Sequence, residues 1–182
     1  MTESTTLWVV LALALFWAVG AYNRLVRLRG QVLLAFQPLD ARMAQFIALL
    51  QEQSPMAFDP LRTHPALAGS GLWAGLQAAC TQFDVSLRVV RKQVLDAESV
   101  AALQSAYTTL QVWWDRLVTE CHEQRPQTLP ASWQIAWMDN RRLVGDTLEA
   151  FNQAVQVHNV AIAQFPALVL ARIFGFRSAG SL

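Results

Sequence analysis

Two regimes of hydrophobic patterning meet near residue 23. From Ser4 to Asn23 no side chain is charged, and the centre is a run of apolar residues from Leu7 to Val19. About 20 residues at about 1.5 Å each cover the roughly 30 Å hydrocarbon layer of a bilayer. The run therefore predicts a membrane-spanning helix, with Trp8, Trp17 and Tyr22 placed for the interfaces where amphipathic rings are favoured. Beyond it, apolar residues recur at alternating steps of three and four: Leu25, Leu28, Val32, Phe36, Leu39, Met43, Phe46 and Leu50. This first seam follows the apolar run without a break. One long rod is expected, kinked where Pro38 removes a backbone donor.

Three further seams carry the same spacing. The second is Leu76, Cys80, Phe83, Leu87, Val90, Val94, and the third is Val100, Leu103, Tyr107, Leu110, Trp114, Leu117, Cys121. The fourth is Trp137, Val144, Leu148, Phe151, Val155, His158, Ile162, Phe165, with one polar heptad position near Asn140 or Arg141. Prolines 55, 60 and 65 with glycines 69 and 71 mark a loop from Ser54 to Gly71, and Pro126 to Pro130 mark another. Ser132 is the expected N-cap of the last long helix. The stretch from Gly71 to Glu123 reads either as one helix or as two; Asp96 is a suitable cap, and a turn there is the preferred reading.

Sustained 3-4 spacing predicts shallow knobs-into-holes packing, and no segment alternates with period two. The expected fold is all-α: an N-terminal transmembrane helix followed by an antiparallel, coiled-coil-like four-helix bundle. The divisions are a short tail at 1–6, an anchor at 7–23, a bundle at 24–165 and a C-terminal segment at 166–182.

Composition sharpens this. Of 182 residues, 54% are hydrophobic and only 15% charged, with a net charge of +1. That balance gives no basic surface for nucleic acid. Arg24, Arg27 and Arg29 follow the apolar run, whereas the start, Met-Thr-Glu-Ser-Thr-Thr, carries only an acidic charge. This order favours an uncleaved anchor over a signal peptide, although Ala18-Val19-Gly20 resembles a cleavage site. By the positive-inside rule the tail lies outside and the bundle in the cytoplasm. Cys80 and Cys121 lack metal or disulfide spacing and read as a buried, reduced pair. Ala14 and Ala18 make a small-x-x-x-small pair too common to indicate dimerisation.

Two segments carry a resemblance. One is Tyr22-Asn23-Arg24-Leu25-Val26-Arg27-Leu28-Arg29. The other is Phe151-Asn152-Gln153-Ala154-Val155, then Asn159, Ala161-Ile162-Ala163-Gln164-Phe165-Pro166 and Phe174-Gly175-Phe176. Together they resemble the bacterial LemA family over about a third of the chain. The middle is dissimilar: the Pro-rich loop stands where that family continues its first helix. Thr147, Leu148 and Glu149 replace its basic residues, and Phe151 its tyrosine. The resemblance implies a single-pass protein of the bacterial inner membrane, with a cytoplasmic bundle and no known catalysis.

Candidate chemistry is sparse. There is no H-E-x-x-H, P-loop or G-x-S-x-G, and no histidine stands three residues after a glutamate. Gly69-Ser70-Gly71 with Gly75 lacks the spacing and lysine of a phosphate loop. His158 reads as a core or boundary residue. His64 and His122 lack partner ligands at metal spacing. No cofactor, metal or small-molecule substrate is expected. Asn152 and Asn159, seven apart, are expected to lock the last helix against the first, with a partner-facing stripe as the alternative. Trp113 and Trp133 are candidates for exposure at an interface, or for cover beneath a loop. The segment from Pro166 to Phe176, with Arg172 and Arg177, either rests in the headgroup layer or closes the bundle. Three functions compete: a membrane-tethered scaffold or adaptor with a protein partner, a lipid-contacting membrane organiser, and a metal-dependent enzyme.

Overall fold

The computed structural model describes residues 2–57, 71–123, 131–165 and 167–182, with side chains of the first helix described from Thr6 to Gln51. The body of the Ser54–Gly71 loop, the Pro126–Pro130 loop, His64 and Pro166 lie outside the described residues. Among the described residues every regular element is an α-helix: α1 (Thr2–Ala57), α2 (Leu72–Lys92), α3 (Ala97–Glu123), α4 (Ala131–Ala163) and α5 (Ala167–Phe174). The expected all-α fold is the one observed.

The 56-residue α1 runs without interruption through Pro38, about 84 Å at 1.5 Å per residue. Its N-terminal part is long and apolar enough to cross a membrane, and almost none of it is covered by the rest of the chain. From Leu25 onward the first seam is buried at every position. The change from exposed to covered apolar residues therefore falls at the foot of the apolar run.

The chain between α2 and α3 does turn. The Gln93 amide donates to the Val90 carbonyl at 2.9 Å, and the Asp96 amide to that of Gln93 at 3.0 Å. The Asp96 carboxylate then accepts the Ser99 amide at 2.8 Å and the Ser99 hydroxyl at 2.6 Å. This is an N-cap on α3, satisfying a donor that the helix leaves free.

Neighbouring helices run antiparallel. Phe46 meets Trp137 at 4.9 Å and Phe36 meets Phe151 at 5.8 Å, so α4 climbs back along α1. Phe83 packs on Tyr107 at 5.4 Å between α2 and α3. At the end far from the apolar run, Trp114 of α3 stacks on Trp137 at 4.2 Å and lies parallel to Trp133 at 6.3 Å. Trp133 is thus buried in the core rather than exposed. Trp113 is half-buried, with the Arg116 guanidinium 5.3 Å from its ring centre. The second seam is buried throughout, and the third except for half-buried Tyr107.

Three local expectations are corrected. Ser132 lies inside α4, whose first described residue is Ala131, and is not its cap. Phe165 is 83% exposed, because α4 ends at Ala163 and the seam ends with it. Leu148 is only half-buried. Both cysteines are free and buried, as read; burial, reinforced by Asp84, pushes the Cys80 thiol up to about 11.

Packing, not charge, holds the helices together. The Arg91–Asp40 pair joins α2 to α1 at 2.7 Å, but both side chains are partly in solvent. Such pairs contribute about 0–1 kcal/mol. Fully buried Phe151 contributes far more. Phe151→Ala should cost about 3–5 kcal/mol and Asp40→Ala less than about 1 kcal/mol, read from denaturant unfolding of the full chain in detergent.

Candidate functional site at the foot of the apolar run

The two motif segments, far apart in sequence, meet where α1 leaves its apolar part. Leu25 and Leu28 form a small core with Ala161, Ile162 and Ala171, and Ala167 and Phe176 pack onto it. Helix α5 turns 99° from α4 to reach this place. It buries Ala171 and leaves Leu168, Val169, Ile173 and Phe174 exposed, with Phe165 just before it. At helical spacing, 168, 169, 172 and 173 share the outward face, so Arg172 stands among apolar neighbours. Tyr22 meets the rings of Phe174 at 4.9 Å and Phe176 at 6.0 Å. Gly175 (φ 70°) takes the left-handed conformation after α5, and the Phe176 amide closes the end on the Ala171 carbonyl at 2.9 Å.

After this cap the chain runs as an extended strap along α4. Asn159 Nδ2 donates to the Ala179 carbonyl at 2.9 Å, and its Oδ1 accepts the Ala179 amide at 2.8 Å. Asn152 repeats the arrangement on Leu182, at 2.5 and 2.9 Å. Seven helical residues rise about 10.5 Å, and three extended residues span about 10 Å. Two asparagines a heptad apart therefore match two strap residues three apart. The expectation that they lock α4 against α1 is corrected: their partner is the strap. Gly180 lies against the first turn of α3. A Cβ there would stand 2.8 Å from the Ala97 Cα, so only glycine fits.

Between these parts lies an open cavity of about 620 Å³. Arg29 comes from α1, Asp96 from the α2–α3 turn, Ala97 from the start of α3, His158 from α4, and Arg177 and Ser178 from the strap. His158 is 1% exposed. Its Nδ1 lies 3.4 Å from Asn159 Oδ1, and its Nε2 has no hydrogen-bond partner. Burial holds the imidazole below its ordinary pKa, and the charge of Arg29 acts in the same direction against the Asn159 contact. The Asp96 carboxyl is also lowered, first by the Ser99 bonds and to a smaller extent by Arg177.

The other expected positions are distributed around this centre. Val155 is buried and Ala154 half-buried against the main core. Asn23, Arg24, Val26 and Arg27 are exposed beside the foot, Trp8 and Trp17 are exposed on the apolar run, and Arg172 and Arg177 are exposed at the C-terminal side. His122 is exposed at the end of α3, and no group of three His, Cys, Asp or Glu among the described residues is placed to hold a metal. The cavity, the strap and the helical state of α5 escaped the sequence reading. Small Ala179 and Gly180, three residues beyond the Phe-Gly-Phe cap, were their one legible signal.

Comparison with protein-family models, curated proteins and solved structures finds no match. The fold and site define a class only: a long-helix bundle carried on an apolar N-terminal helix.

Two predictions test the strap and the cap. Asn159→Ala leaves the Ala179 amide and carbonyl without partners and should cost about 1–3 kcal/mol. Hydrogen exchange at Ala179 should accelerate, with a smaller effect at Leu182. Asp96 has a lowered folded pKa, so its cap is fully effective above the ordinary value of 3.8 and is lost as pH falls through the folded value. The Tm gap between wild type and Asp96→Ala should therefore be constant near neutrality and close under acid.

Proposed function

We propose that this chain is a membrane-tethered, non-catalytic helical scaffold whose base rests on the bilayer. Residues 7–23 cross the bacterial inner membrane, Arg24, Arg27 and Arg29 keep the bundle in the cytoplasm, and α5 lies in the adjacent headgroup layer. The observation that carries this reading is the outward apolar face of α5, set beside the foot of an apolar helix and turned 99° from α4. Because α4 runs antiparallel to α1, a helix across α4 lies along the surface of any bilayer that α1 crosses. The resemblance of both ends to the LemA family supports the same reading. Most of the LemA-like positions belong to the packed foot and strap, which makes them architectural. Exposed Leu34, Val85 and Ile135 leave apolar surface on the bundle for a protein partner.

A second reading, a membrane-organising protein, draws on the same α5 face. In that case α5 would alter lipid packing as well as dock.

The test is depth. A fluorophore at residue 169 of the full chain in liposomes should be strongly quenched by lipid-borne quenchers, and one at residue 85 should not. Water-like exposure at residue 169 would reject docking. Vesicle deformation that requires Val169 and Ile173 would favour the second reading.

A further inference from the structure

We infer that the cavity between Arg29, Asp96, His158 and Arg177 is a binding site for a phosphate-bearing anion, with a phospholipid headgroup as its source. Three observations lead there. First, two solvent-exposed arginines from different elements line one cavity, and its single carboxylate is already bonded to Ser99. That set suits an oxyanion, since guanidinium forks match phosphate oxygens, and offers too few oxygen ligands for a cation.

Second, His158 is buried with Nε2 unpartnered, although buried polar atoms are almost always satisfied. Asn159 Oδ1 accepts from Nδ1–H in the tautomer that uses this contact, leaving a lone pair on Nε2. A phosphate dianion in the cavity would favour a second proton on the imidazole through its charge, and rotation of the ring towards the cavity would turn the orphan Nε2 into a charged donor. The charged groups that line the cavity with that imidazole are Arg29 from α1, Asp96 from the α2–α3 turn and Arg177 from the strap. A bound dianion opposes both the burial and the Arg29 charge that hold the imidazole neutral.

Third, the cavity stands at the right level. Arg29 is six residues past Asn23, about 9 Å along the helix. The headgroup layer is about 5–8 Å deep on each side of the hydrocarbon, and an arginine stem reaches the remainder. The lipid source rests on the membrane-crossing reading above; the phosphate chemistry does not.

The full chain in a non-ionic detergent is titrated with dihexanoyl phosphatidic acid, with glycerol 3-phosphate and with inorganic phosphate. Binding is followed by the imidazole nitrogen resonances of His158, assigned with His158→Gln. The expected result is saturable binding of the phosphatidic acid, with Nε2 moving towards its protonated position. Arg29→Gln and Arg177→Gln should each weaken binding about tenfold or more, while Arg88→Gln on the outer face of α2 should not. Because the bound imidazole carries an extra proton while the phosphate monoester itself protonates at about pH 6, affinity should rise as pH falls from about 8 to about 7 and fall again below about pH 6. Circular dichroism confirms that each variant is folded. Equal binding of the soluble phosphates, with the same arginine dependence, keeps the site and overturns the lipid source. No saturation by any probe, or binding indifferent to both arginines, overturns the site. Quenching at residue 169 is read independently, so an empty cavity beneath a docked α5 refutes this inference alone.

Discussion

The structure depends on α1 being a single helix across the boundary between its exposed apolar part and its covered seam. A flexible joint at residues 23–25 would let the bundle take any tilt to the apolar run. A continuous helix allows none, because each residue's height and azimuth follow from the one before. The small core of Leu25, Leu28, Ala161, Ile162 and Ala171 then holds the end of α4 and α5 to that rod. Without these contacts α5 would be an eight-residue helix, too short to persist alone. Its position, and that of the cavity, is thus inherited from the rigidity of α1.

The helical core was readable because burial in a coiled bundle has a period. Val32, Leu39, Met43, Phe83, Leu87, Leu103 and Phe151 repeat at three and four, and each is essentially inaccessible. Periodicity reports a face, however, and not its partner. Asn152 and Asn159 were legible as a polar pair beside the seam, yet nothing in a heptad shows that an extended strap will lie there. Phe165 fits the spacing but falls past the end of α4, where the period ceases to mean anything. Exposure and cover were both open for Trp133, because what decides between them is the stack with Trp114, a neighbour from another helix. The strap itself has no period, and its signal is the small size of Ala179 and Gly180.

Charge is arranged as unevenly as packing. Arg24, Arg27 and Arg29 follow the apolar run within one and a half turns, but they do not share a fate. All three are exposed, but only Arg29 also lines the cavity with Arg177 and His158. A purely topological role needs positive charge near the boundary and is indifferent to azimuth. Arg29 is held at a fixed azimuth by the seam residues Leu28 and Val32 on either side of it, both buried. The seam that packs α1 against the bundle thus also places one of these exposed arginines at the rim of the cavity.

Asn159 ties these features together. Its side-chain carbonyl accepts the Ala179 amide at 2.8 Å and also faces His158 Nδ1 at 3.4 Å. Arg177 and Ser178 line the cavity two and one residues before the strap residue that Asn159 holds. Seating the strap therefore builds one wall of the cavity, and the same oxygen orients the imidazole behind it. By linkage, a ligand that contacted Arg177 and Ser178 would also steady the strap that carries them. Gly180 carries that restraint on to the first turn of α3 through a contact that no larger residue permits. The C-terminal residues are thus the element through which the foot of α1, the end of α4 and the start of α3 are held in one arrangement.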